Sequence, residues 1–153
     1  MIDCRTETQG NGNTAMKQLE SKSAIVTGAA QGIGAVYAQA LAAEGARVCL
    51  SDVQDTAEAV QAITDSGGDA IGMTTDVTDM AACEAMVAET VSAFGSADIL
   101  VTNAALFAAL ERRSFLEIDG DEWDKVMAIN TRGVFNCISA AAPEMKKREY
   151  GKV

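Results

Sequence analysis

From Ser23 onward, short apolar runs alternate with longer stretches in which apolar residues recur at helical spacing. Ser23 to Thr27 predicts a first strand, and Ile33 to Glu44 an alanine-rich helix closed by Gly45. Arg47 to Ser51 predicts a second strand. Asp55, with Glu58 three residues on, makes a capping-box-like start to a helix reaching about Ser66, which Gly67-Gly68 ends. A third strand is expected at about Ala70 to Thr74. Thr78 or Asp79 caps a helix of about Met80 to Phe94, Gly95 ends it, and Asp98 to Thr102 is a fourth strand. An irregular segment at Phe107 to Glu117 leads into one long helix from about Asp121 to Lys147. Acids at its start and Lys146, Lys147 and Arg148 at its end match the helix dipole, and Pro143 is expected to bend or tighten its last turns. Gly151-Lys152-Val153 looks like the start of a fifth strand. Continuously apolar strands between helices imply a parallel sheet covered on both faces. The expected fold is a doubly wound α/β sheet, three layers deep and incomplete at the fifth strand.

Residues 1–20 are polar, glycine-bearing and without periodicity, which predicts a disordered tail ahead of one domain at 21–153. Met16 is a candidate native start. A fourth strand without its neighbour would leave an apolar edge, so the chain alone is expected to aggregate or dimerise.

Composition narrows the chemistry. A net charge of −10 argues against a nucleic-acid or anionic-membrane surface and leaves a small molecule as the expected partner. No histidine is present, which removes the commonest metal ligand and the usual base of hydrolase triads. Cys4, Cys49, Cys83 and Cys137 are scattered, without the spacing of a zinc knuckle or a disulfide framework. No apolar run approaches the roughly 18 residues of a membrane span. The reading is a soluble, cytoplasmic protein with reduced thiols.

Between the first strand and first helix lies Thr27-Gly28-Ala29-Ala30-Gln31-Gly32-Ile33-Gly34. A glycine just after a strand allows a tight turn. Later ones let a pyrophosphate approach the backbone and a helix pack close to the sheet, while the helix N-terminus offers free N–H groups to an anion. Asp52 follows at the end of the second strand, about 20 residues on, where an acid holds the ribose hydroxyls of an adenosine. A Rossmann-type nucleotide site is expected.

The spacing T-G-x-x-x-G-x-G resembles the short-chain dehydrogenase/reductase family. Asp76-Val77 resembles the family's third-strand pair that contacts adenine, Thr102-Asn103-Ala104-Ala105 its Asn-Asn-Ala-Gly, and Asn130-Thr131-Arg132-Gly133 its Asn-x-x-Gly. The resemblance covers about Ser21 to Val153. It implies a cofactor site of Gly28, Gln31, Gly32, Ile33, Gly34, Asp52, Val53, Asp76, Val77, Asn103, Ala104 and Ala105. It also implies a catalytic role for Asn130, which in the family helps connect the catalytic lysine to water. NAD is the expected cofactor. Asp52 would repel the 2′-phosphate of NADP, and the positions that would carry a compensating cation hold Ser51, Val53 and Gln31, with Arg47 at the opposite end of its strand. Thr102 and Ala105 depart from the family's residues, either as packing variants or as a shift in the backbone beside the nicotinamide.

The family transfers a hydride between nicotinamide and a secondary alcohol or ketone, with a tyrosine of Tyr-x-x-x-Lys exchanging the proton. Tyr37 is followed four residues on by Leu41, and Tyr150 has no residue at that position, so neither is assigned the role. Three readings stay open. The chain is the cofactor-binding part of an NAD-dependent oxidoreductase that forms homo-oligomers, a non-catalytic dinucleotide-binding module, or an interaction protein that keeps the fold.

Overall fold

A computed structural model describes residues 17–107 and 109–153; the expected tail through residue 16, with the candidate start Met16, lies outside the described residues. Residues 17–20, counted with the tail from their composition, form a turn docked on the first helix. There Leu19 N–H donates to the Glu44 carbonyl at 2.9 Å.

Four parallel strands, β1 (Ser23–Thr27), β2 (Arg47–Asp52), β3 (Asp69–Thr74) and β4 (Ile99–Val101), lie in the order β3-β2-β1-β4. The pleat sends alternate residues to opposite faces. Ala24, Val26, Val48 and Leu50 meet α1 (Gly32–Ala43) and α2 (Ala57–Asp65) through Ala38, Ala42, Ala59 and Ile63. Ile25, Cys49 and Leu100 meet α3 (Met80–Phe94) and α5 (Gly133–Lys147) through Cys83, Met86, Phe94, Cys137 and Ala141. Two cores therefore sandwich one sheet, as the apolar strands required. Each fully buried Ile, Leu or Met contributes about 1.5–3 kcal/mol.

The expected single helix from Asp121 to Lys147 is three pieces: α4 (Gly120–Met127), a wider π turn (Ala128–Arg132) and α5. A π turn inserts one residue into the ladder and rotates everything after it, which a periodicity over so few residues does not reveal. Helix α5 runs through Pro143. The capping box expected at Asp55 and Glu58 is absent. Thr56 holds the cap position without a side-chain bond, and Asp55 instead accepts from Ala57 N–H at 2.9 Å. Of the two candidates before α3, Asp79 is the cap, accepting from Ala81 N–H at 2.9 Å, while Thr78 bonds Asp76. Lys152 pairs alongside β4, its N–H donating to the Asp98 carbonyl at 3.0 Å and its carbonyl accepting from Leu100 N–H at 2.9 Å.

Strand β1 lies between β2 and β4, so successive crossovers leave in opposite directions from it. A crevice must open at the carboxyl ends of β1 and β4.

Candidate functional site

The crevice is a cleft of about 680 Å3. Gly28, Gln31 and Ile33 form one side, and Asp52 to Gln54 and Thr75 to Thr78 the strand ends. Asn103 to Phe107 and α4, through Lys125 with Ala128 and Ile129 behind it, complete the wall.

Three glycines shape the turn in different ways. Gly28 has φ +66°, and a Cβ there would lie 2.7 Å from the Ala104 Cα. Gly34 is pressed against the Gly28 carbonyl, where a Cβ would lie 2.1 Å from the oxygen. Gly32, with φ +60°, faces open space. Gln31 caps α1 with no side-chain hydrogen bond, so the first-turn N–H groups are left for an outside acceptor. Bare backbone, unpartnered donors and a positive helix end are what a phosphate needs.

Asp52 is 8% exposed, and each carboxylate oxygen takes one backbone N–H: Ala30 at 3.0 Å and Gln54 at 3.0 Å. These bonds pin the glycine turn to the end of β2 and leave lone pairs on both oxygens. Asp76 Oδ1 accepts from the N–H and hydroxyl of Thr78 at 2.9 and 2.8 Å. Asn103 braces the turn from the β4 side, donating through Nδ2 to the carbonyls of Thr27 and Gly28, each at 3.0 Å. Thr27 Oγ1 in turn accepts from Asn103 N–H and Ala104 N–H at 3.1 Å. Asn103→Ala is expected to cost about 1–3 kcal/mol by stranding two turn carbonyls, read as a lower urea midpoint at unchanged m-value.

Of the residues the motifs single out, Gly28, Gln31, Ile33, Asp52, Val53, Asp76, Val77, Asn103, Ala104 and Ala105 line the cleft together. Gly32 and Gly34 belong to its floor turn. Asn130 stands behind the wall in the π turn, accepting from Leu106 N–H at 2.7 Å and donating to the Leu106 carbonyl at 3.1 Å. Gly133 lets α5 approach, since a Cβ would lie 2.6 Å from Val77 Cγ2. The motifs did not single out Thr75, Lys125 or Ile129. Lys125 and Ile129 stand four apart on one helical path, a spacing visible in the sequence once α4 is known to cross the cleft.

A parallel sheet covered by helices, with this cleft at its crossover point, defines a Rossmann-type α/β fold. The short chain dehydrogenase model matches residues 22–153, and the chain belongs to that family. An uncharacterized oxidoreductase of Mycobacterium tuberculosis is 46% identical over 136 residues, covering 88% of this chain and 55% of its own. A 3-oxoacyl-(acyl-carrier-protein) reductase of Staphylococcus aureus is 39% identical over 136 residues, covering 87% and 54%. A solved short-chain type dehydrogenase/reductase from Mycobacterium marinum superposes with TM-score 0.83 at 29% identity, covering 90% of this chain and 55% of that one. The chain thus spans about half the length of the relatives it matches. The family uses nicotinamide cofactors, and the donors and open backbone of the cleft fit one. Among the described residues no helix is long and apolar enough to cross a membrane.

Proposed function

We propose that this chain holds NAD, in preference to NADP, for an oxidoreductase acting on a secondary alcohol or ketone. The observation that carries the cofactor choice is Asp52, a buried carboxylate fixed by two backbone N–H groups at the end of β2. Both adenosine ribose hydroxyls can donate to its remaining lone pairs, whereas a 2′-phosphate there would meet a like charge. Arg47 gives no relief, being at the far end of β2 with its guanidinium on Ser23 Oγ at 3.3 Å and over the Phe94 ring. Lys125, the one basic residue lining the cleft among the described residues, enters from α4 and not from the strand ends.

When bound, the dinucleotide supplies a hydride donor or acceptor at its nicotinamide ring. The chain's own residues do the holding. The first turn of α1 would take the pyrophosphate, Val53, Asp76 and Val77 would hold the adenine, and Ala104 and Ala105 would border the nicotinamide side. Asn130 sets that wall through its two bonds to Leu106. Trp123, Met127, Phe135 and Ile138 are exposed along α4 and α5, an apolar face suited to a second copy in a homo-oligomer, and the cytoplasm suits a site fed by soluble dinucleotide.

Neither tyrosine lines the cleft. Tyr37 is 49% exposed on α1, and Tyr150 lies under the Lys22 ammonium, 3.8 Å from its ring centroid. Neither tyrosine is therefore placed to exchange the proton of the hydride step. With NAD and a panel of secondary alcohols, the chain is expected to bind dinucleotide and give no rise in reduced-nicotinamide absorbance. Turnover would show that one of these tyrosines, or another group, acts.

A further inference from the structure

Behind the adenine wall, two cysteines far apart in sequence meet at the contact of α3 with α5. Cys83 Sγ and Cys137 Sγ lie 3.9 Å apart, and the two residues are 0% and 1% exposed. Three hydrogen bonds and one packing contact from this junction converge on Val77 and Thr78, which line the cleft. Cys83 Sγ–H donates to the Val77 carbonyl at 3.6 Å. Asn136 Nδ2 donates to the same carbonyl at 2.9 Å and to that of Thr78 at 3.2 Å. Gly133 touches the Val77 side chain with no room for a methyl group.

We propose that Cys83 and Cys137 are a dithiol site that closes to a disulfide and thereby loosens the adenine wall of the cleft. A disulfide brings the sulfurs from 3.9 Å to about 2.05 Å, through rotation of the two side chains together with any approach of α3 and α5. Cys83 then loses its hydrogen on sulfur and with it the bond to Val77, and any approach of α5 meets a Val77 side chain that has no slack. The oxidant is a low-molecular-weight disulfide. The two cysteines give up two protons and two electrons as their S–S bond forms, and the oxidant's S–S bond breaks to give two thiols.

In the closed fold both thiols resist reaction. Burial pushes Cys83 up and, with its sulfur neighbour, raises Cys137 to about 12, so both stay protonated at neutral pH. Closure of the pair accordingly follows opening of the α3–α5 contact, which makes the site a slow latch and not a catalytic thiol.

The effect on the cleft builds on the dinucleotide reading; the cross-link does not. The full chain is incubated with excess glutathione disulfide, mapped by peptide mass spectrometry, and titrated with ADP-ribose before and after. The expected result is a Cys83–Cys137 link two hydrogens lighter, with affinity lower by about fivefold or more and restored by dithiothreitol. The Cys137→Ala chain, which leaves the Cys83 bond to Val77 in place, should keep its affinity under the same treatment. Glutathione adducts with Cys83 and Cys137 left unlinked overturn the site, and a link that leaves ADP-ribose affinity unchanged overturns the coupling. If the reduced chain binds no ADP-ribose, the dinucleotide reading fails and the coupling with it, while the peptide map still decides the pair.

Discussion

Gly34→Ala is expected to abolish dinucleotide binding at accessible concentrations, a loss of at least about 100-fold, or about 2.7 kcal/mol. The added methyl carbon would lie 2.1 Å from the Gly28 carbonyl oxygen and 2.6 Å from Asn103 Nδ2. Neither neighbour can yield. The Gly28 oxygen is backbone, and the Asn103 amide is held by two carbonyls at 3.0 Å. Helix α1 must therefore move off the turn, taking with it the N–H groups that face the cleft. Overpacking of this kind also destabilises the fold by about 1–3 kcal/mol. The checks are isothermal titration with NAD and a urea midpoint on the same preparation. Gly32→Ala makes the contrast: its Cβ meets no atom within 4 Å, so the added strain is that of a φ of +60°.

Asp52→Ala is expected to weaken NAD by about 10- to 100-fold and to erase the preference over NADP, because a hydrogen bond to a charged group is worth about 1.5–3 kcal/mol. The same change removes the acceptors of Ala30 and Gln54 N–H, so stability should fall by about 1–3 kcal/mol as well. Asp52→Asn separates the two effects. It keeps the shape and one acceptor, so it should retain most of the stability while losing the repulsion of a 2′-phosphate. Comparing dissociation constants for both dinucleotides across wild type and the two variants tests this, and unchanged NADP affinity in both would contradict it.

How far these features can be read from sequence depends on whether the signal is local. The strand runs, Gly45 and Gly95 as helix stops, and the glycine turn with Asp52 are local, and the sheet puts them where the pattern implied. The Asp55-Glu58 pair shows the limit of a two-residue signature, because the backbone bent one residue later and Asp55 closed a turn of its own. A complete capping box does exist, at Ser114 and Glu117. It falls in the segment read as irregular, since the single turn it caps, Phe115–Glu117, is too short to show periodicity. The π turn at Ala128–Arg132 and the meeting of Cys83 with Cys137 are tertiary facts. Nothing within either stretch of sequence encodes which helix it will face.

On the proposed reading, Asp52 and the open first turn of α1 hold the adenosine-pyrophosphate half of NAD. Calorimetric titration of the wild-type chain with NAD, ADP-ribose and NADP tests it most directly. NAD and ADP-ribose are expected to bind with similar affinity, and NADP at least about tenfold more weakly, a difference of 1.4 kcal/mol. NADP binding as tightly as NAD, or no binding by ADP-ribose, would contradict the account.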